Sequence, residues 1–360
     1  MGCLVQSSVL LLYMSSSLTY IDCWSQHAVE KKLTTMQKQF PLDIVPLTDE
    51  EDKIVKKYYK DYTRRFLRVG PQGYFSTPGY ADHAADIYNL EVRPDDVWVT
   101  TFSRSGTTWL QELVWLVAND LDFEKTTNEP FTKRYAYIEY PTQASDITKI
   151  VPTNPSHRAT FDDFRTLPNM TSPRFLKSHL PLSCLPPNLL DTAKVFYIAR
   201  DIRDVAVSFH FAHKLFRYFD DDVTFKEFWD LFKNNLILHT PIFPHVQEAW
   251  SQRNHPNLMF LFYEEMQNDL PDVIDRVCTF LGREYSKEQK EKLASHLSFE
   301  NMKKGPKLAQ SSGQNEKTFF RKGKSGGWVE YFDDEMKKEA EEYIQRNLEK
   351  TDMRYPTTNK

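Results

Sequence analysis

Apolar residues along this chain fall into short continuous runs that alternate with stretches of helical spacing. Asp96 to Phe102 (DVWVTTF) is a β-rich run just after Pro94. Small residues from Ser103 to Gly106 interrupt it, and Thr107 to Asn119 (TTWLQELVWLVAN) predicts a strongly apolar helix. The change of period gives the order strand, tight loop, helix. Phe175 to Ser178, Ala193 to Arg200 (AKVFYIAR) and Leu258 to Tyr263 (LMFLFY) predict three further strands. Asp204 to Lys214, Phe225 to Trp250, Pro271 to Leu281 and Asp333 to Lys350 predict helices. Residues 50–70 mix charged and apolar positions at helical spacing and predict another, stopped at Gly70. Apolar strands alternating with helices predict an α/β fold, with a central parallel sheet flanked by helices on both faces. No repeat or linker splits the pattern. Residues 41–360 therefore read as a single domain, behind a mobile N-terminal extension over 1–40.

Composition narrows the function. Aromatic residues make up 14% of the chain, which favours an aromatic-lined pocket over a plain aliphatic core. With 46 basic and 50 acidic residues the net charge is −4, which argues against a dominant nucleic-acid surface. The 4 cysteines (Cys3, Cys23, Cys184, Cys278) are too widely spaced for a disulfide framework or a zinc site. A reducing, cytoplasmic setting is expected, with no metal. No run approaches the roughly 18 apolar residues that a membrane span needs. Val9 to Met14 lacks the preceding basic residue of an export signal. No membrane partner is expected.

The segment VWVTTFSRSGTTW sets glycine and hydroxyl residues between a buried strand and a helix start. Unpaired N–H groups and the helix dipole favour an anion there. Gly106 allows close backbone approach, Ser105, Thr107 and Thr108 offer hydroxyls, and Arg104 adds a fixed positive charge. Helix capping alone would also explain the hydroxyls. The loop is P-loop-like, but GxxxxGK[ST] is absent.

FSRSGTTW resembles the TYPKSGTTW loop of the cytosolic sulfotransferases. Three further blocks resemble that family in order: FLKSHLPL, IARDIRDVAVSF and FFRKGKSGGW, with YEEM and SFENM between the last two. RSGTT followed by QELVWL, and TDMRYP near the C-terminus, look like the insect branch that includes retinol dehydratase. The resemblance implies a phosphosulfate-binding loop at 104–109 and 3′-phosphoadenosine 5′-phosphosulfate (PAPS) as sulfuryl donor, with PAP as product. It assigns Arg200, Ser208, Arg321, Lys322 and Gly323 to the 3′-phosphate, and Trp109 and Tyr263 to the adenine. Ser298, Phe299, Met302 and Phe320 belong to the same nucleotide set. It makes His179 the general base, Lys177 a substrate or transition-state contact, and Arg104 the cation beside the bridging oxygen. The expected acceptor is a small hydrophobic alcohol or phenol, in a pocket for which Tyr135, Tyr137, Tyr140 and Phe211 are candidates.

The chain departs from the family pattern at several positions. Arg104 replaces a lysine, which keeps the charge but not a readily released proton. Leu297 stands where many relatives carry a threonine, and Ile202 where a proline is common. Val329, Asp333, Asp334 and Lys338 occupy the places of the family's KxxxTVxxxE dimer signature, so homodimerisation by that route is unsupported. A catalytically silent nucleotide- or lipophile-binding protein is the competing reading. A kinase-like reading lacks its Walker lysine and Mg²⁺ carboxylates. His210 and His213, three apart on a helix without a completing ligand, read as structural.

Overall fold

The computed structural model describes residues 40–144, 164–304 and 322–357 of the 360. The chain divides into two units, residues 1–41 and 42–360. The extension expected over 1–40 lies outside the described residues, except for Phe40. The second unit carries two sheets. β1 (Ile44–Pro46), β2 (Leu67–Val69) and β3 (Tyr74–Ser76) form a small antiparallel one. β4 (Val97–Thr100), β5 (Ala136–Tyr137), β6 (Phe175–Ser178), β7 (Lys194–Ala199) and β8 (Leu258–Phe262) form the main sheet, in the order β5-β6-β4-β7-β8. Every pairing in it is parallel.

All four residues of β4 are buried, and in β7 only Lys194 is partly exposed, as strands covered on both faces require. On one face Val99, Phe196, Ile198 and Leu261 pack with Leu110, Leu113 and Val114 of helix Thr107–Ala118. On the other, Phe102 meets Phe209, Phe232 and His245 edge to face. A buried bidentate pair fixes the entry to the sheet: Arg174 Nε and Nη2 donate to the two oxygens of Asp96 at 2.7 and 2.6 Å. This ties the start of β6 to the start of β4. Thr100 stands level with Ser178 on one side and Tyr197 on the other. The carboxyl ends of β4, β6 and β7 therefore open on one edge, where such sheets bind ligands.

Two predicted helices differ from the structure. Helix Asp49–Val55 starts on a Thr48/Glu51 capping box and ends fifteen residues short of Gly70. Beyond it, the rings of Tyr59, Tyr62, Phe66 and Phe75 gather. Leu67–Val69 is drawn into β2 between two partner strands, and tertiary pairing overrides the helical spacing. The long helix expected over Phe225–Trp250 is two, Phe225–Lys233 and Ile242–Ser251. Asn235 turns left-handed at φ 58°, and Pro241 caps the second helix without an N–H to continue the first.

Candidate functional site

The loop after β4 turns so tightly that two residues leave ordinary backbone space. Arg104 has φ 71° and Gly106 φ 111°. A Cβ on Gly106 would lie 2.6 Å from Tyr263 Cδ2, so only glycine lets the loop pass beneath that ring. Thr101 and Thr107 lock the turn through their hydroxyls at 2.7 Å. The N-terminus of helix Thr107–Ala118 then faces a cavity lined by Gly106, Thr107, Thr108 and Trp109. Arg104 lines it too, and its Nε donates to Ser208 Oγ at 3.1 Å. The cavity holds about 560 Å³.

At one end of the cavity, Arg200 follows β7 and stacks its guanidinium 4.1 Å from the Tyr263 ring. Its Nη2 donates to the Lys324 carbonyl at 3.2 Å, while its Nε is buried without a partner among the described residues. An orphaned guanidinium N–H on a cavity wall fits an absent anion. Trp109 meets Tyr263 edge to face at 5.4 Å and anchors its Nε1 on the Leu297 carbonyl at 2.9 Å. Leu297, Phe299 and Met302 complete an apolar wall suited to a flat base. The C-terminal loop closes this end. Asp204 accepts from Gly326 N at 2.6 Å and Trp328 N at 3.1 Å. Burial raises the Asp204 pKa, opposed by Arg200 and these two N–H groups. Gly323, at φ 62°, crowds Phe299 so closely that a Cβ would overlap its ring. Lys322 lines the cavity but pairs with Glu330.

At the other end His179 follows β6. Its Nδ1 lies 3.0 Å from the Thr101 carbonyl, which can only accept, so Nδ1 carries the proton. Nε2 is thereby left with its lone pair, on a residue that lines the cavity. Burial, then the nearby Lys177 and His239, hold the His179 pKa well below 6.5, which keeps the ring neutral. Glu139 accepts from the His179 backbone N–H and from Ser178 Oγ at 2.9 Å. Lys177 sits 3.9 Å above the Tyr137 ring. Burial lowers its pKa, Glu139 opposes that, and Arg104 adds to it. Beyond these groups lie Tyr140, Phe209, Phe216, Tyr218 and Leu238, an aromatic chamber continuous with the cation-lined end.

Most of the sequence-assigned residues therefore share one cavity. Ser105 and Ser298 are the exceptions among the described nucleotide-site residues: neither lines it, though the buried Ser105 Oγ has no hydrogen-bond partner among the described residues. Phe320 and Arg321 lie outside the described residues. Tyr135, Tyr137 and Tyr140 line the chamber as expected, but Phe211 does not. Its helix turns about 100° per residue. Ser208, Phe209, Ala212 and Phe216 thus face inward, and Phe211 packs on Tyr331. Sequence reasoning missed Glu139, Thr101 and His239. Glu139 follows a two-residue strand too short to leave a periodic signal. His210 and His213 hold the carbonyls of Val223 and Phe209. Among the described residues no group of three metal-binding side chains occurs, and no helix is long and apolar enough to cross a membrane. Cys184 and Cys278 are buried free thiols.

A tight glycine loop at a helix N-terminus, an aromatic wall and a buried histidine beside an apolar chamber suit a nucleotide-dependent group transferase. The Sulfotransferase domain family matches residues 94–352, and the chain belongs to that family. It is 31% identical to Sulfotransferase 1 family member D1 of Rattus norvegicus, over 81% of this chain and 96% of the relative. It is 32% identical to the luciferin sulfotransferase of Photinus pyralis, over 71% of this chain and 70% of the relative. A crystal structure of retinol dehydratase with androsterone and inactive cofactor PAP superposes at a TM-score of 0.77. That match is 40% identical and covers 88% of this chain and 98% of the other. A second retinol dehydratase structure, with retinol and PAP, matches at 39% identity and the same TM-score, 0.77. The chain is a sulfotransferase of this retinol dehydratase-like branch.

Proposed function

We propose that residues 41–360 form a domain that transfers the sulfuryl group of PAPS to the hydroxyl of a small hydrophobic acceptor. The acceptor class is a phenol, steroid or retinoid-like alcohol. The observation that carries this reading is the position of His179, between a cation-lined compartment and an aromatic chamber of one cavity. Trp109, Tyr263 and Phe299 hold the adenine. Arg200, Ser208, Arg321, Lys322 and Gly323 take the 3′-phosphate. The helix N-terminus at Gly106–Thr108 takes the 5′ side. His179 Nε2 accepts the acceptor's O–H proton as the new O–S bond forms. The S–O bond to the nucleotide breaks, and Arg104 stabilises the charge gathering on the departing oxygen. No residue has to shed a proton onto that oxygen, so the lysine-to-arginine change is compatible with turnover. A reducing, cytoplasmic setting suits the buried free thiols Cys184 and Cys278.

Transfer of radiolabelled sulfate from PAPS to a panel of phenols, steroids and retinol tests the reading. Transfer to one class supports it. Tight PAP binding with no transfer to any of them would instead favour a silent lipophile-binding member of the fold.

A further inference from the structure

Glu139 is 1% exposed and uses both carboxylate oxygens on the segment that carries the active-site side chains. One oxygen accepts from the backbone N–H of His179, and the other from Ser178 Oγ at 2.9 Å. Ser178 Oγ in turn accepts from Leu180 N at 3.0 Å. Three consecutive residues at the end of β6 are thus pinned by one carboxylate. The backbone of Glu139 is fixed as well. Its carbonyl accepts from Thr142 Oγ1 at 2.7 Å, and Ile138 N donates to the Lys177 carbonyl at 3.0 Å. A buried carboxylate is costly unless its surroundings repay it with donors and a counter-charge. Here the counter-charge is Lys177, one residue from the pinned turn.

We propose that Glu139 is a positioning residue for sulfuryl transfer: through the His179 N–H and the Ser178 hydroxyl it sets the backbone that carries His179, and its charge faces Lys177. The proposal rests on the transfer reading above. Arg104 is the charged neighbour that opposes Lys177, while the Tyr137 ring favours its ammonium. Arg104 faces it from the anion loop, His179 and His239 flank it, and the Tyr137 ring lies beneath the ammonium. Without Glu139 an ammonium desolvated beside Arg104 sheds its proton more readily. Burial pushes the Glu139 carboxyl up to about 7, opposed by the His179 N–H, the charge of Lys177 and the Ser178 hydroxyl, with Tyr137 and Tyr80 close by.

Glu139→Gln is the direct test, because the amide keeps the shape but offers one acceptor and no charge. PAP affinity by calorimetry should stay within about twofold of native, since the nucleotide contacts lie on other segments. Turnover should fall about 10²-fold, the scale of a displaced reacting group. The alkaline limb of kcat should move down by at least about one pH unit, the size of a neighbouring-charge effect. Competitive acetylation of Lys177 across pH reads the same shift without any turnover. It therefore separates failure of this proposal from failure of the transfer reading. Native kcat, or an unmoved Lys177 titration, overturns the proposal. If Glu139→Gln does not bind PAP, Glu139→Asp carries the test: it keeps the charge and shortens the reach. Lowered kcat with the Lys177 titration in place supports the proposal; native kcat or a displaced titration overturns it.

Discussion

The Nε of Arg104 donates to Ser208 Oγ at 3.1 Å, joining the anion loop to the first turns of helix Ile202–Leu215. One hydroxyl thus orients the loop cation while standing in the group assigned to the 3′-phosphate. A guanidinium can hold that hydroxyl through Nε and still aim its two terminal nitrogens elsewhere; an ammonium has one nitrogen for both tasks. Arg104→Lys should keep substantial turnover and lose part of its PAP affinity. Arg104→Ala should lose about 10²–10³ in kcat, the scale of removing one donor to a developing oxyanion. Steady-state kinetics with PAP calorimetry decides, and an alanine variant with native kcat would remove Arg104 from charge stabilisation.

Gly106 carries a sharper constraint than its hydroxyl neighbours. Gly106→Ala should bind PAP at least about tenfold more weakly. The left-handed backbone alone costs a side chain about 1–3 kcal/mol, and the new methyl would meet Tyr263 at 2.6 Å. Relief requires Tyr263 to move, and that ring also stacks with Arg200 and meets Trp109 edge to face. The loop, the adenine wall and the phosphate arginine should loosen together. Tryptophan fluorescence from Trp109 during PAP titration follows this, and an unchanged affinity would mean the loop does not close on the nucleotide.

The nucleotide end should also select for the 3′-phosphate. Among the described residues Arg200 presents a buried Nε with no partner, and its Nη groups reach the backbone carbonyls of Arg104 and Lys324. Each charge-assisted hydrogen bond contributes about 1.5–3 kcal/mol, so one such contact is worth roughly tenfold or more. PAP should therefore bind at least about tenfold more tightly than adenosine 5′-phosphate. Lys322 has its own partner in Glu330, so Arg200→Ala should reduce this preference more than Lys322→Ala. Equal affinity for the two nucleotides would place the 3′-phosphate away from Arg200.

The main sheet was legible because β4, β7 and β8 are buried runs whose composition leaves little choice of partner. The anion loop was legible because Gly106 and its hydroxyl neighbours sit between two strongly patterned elements. Helix limits were less so: nothing local in Tyr59 to Phe66 announces that their rings cluster around Phe75. Site membership failed where a side chain's direction mattered. Phe211 and Phe209 are equivalent in composition, and only the angle around the helix sends one into the chamber. Glu139 was hidden for a different reason. Its role comes from parallel pairing of β5 with β6, which sets Tyr137 level with Lys177 across a gap of some forty residues.

His179 supports the most discriminating prediction. Its Nδ1–H is engaged by the Thr101 carbonyl, so Nε2 is the nitrogen free to serve as the proposed base, and the proposed nucleotide contacts lie on other segments. His179→Ala should lose about 10²–10⁴ in kcat with nearly unchanged PAP affinity. The pH dependence has a definite sign. The neutral ring is the active form, and lowering the pH protonates it. A free imidazole would lose activity around pH ~6.5. Burial and the adjacent Lys177 and His239 depress the pKa of His179, so the acid limb should lie well below that value. An acid limb at or above pH ~6.5 would mean that another group controls it. His179→Gln extends the test, because its amide can still donate to the Thr101 carbonyl but cannot take the acceptor's proton. If the glutamine variant folds, binds PAP and turns over at the native rate, the histidine orients the turn and the proton leaves by another route. If both variants lose turnover while thermal melts with PAP stay native, the missing function is the base.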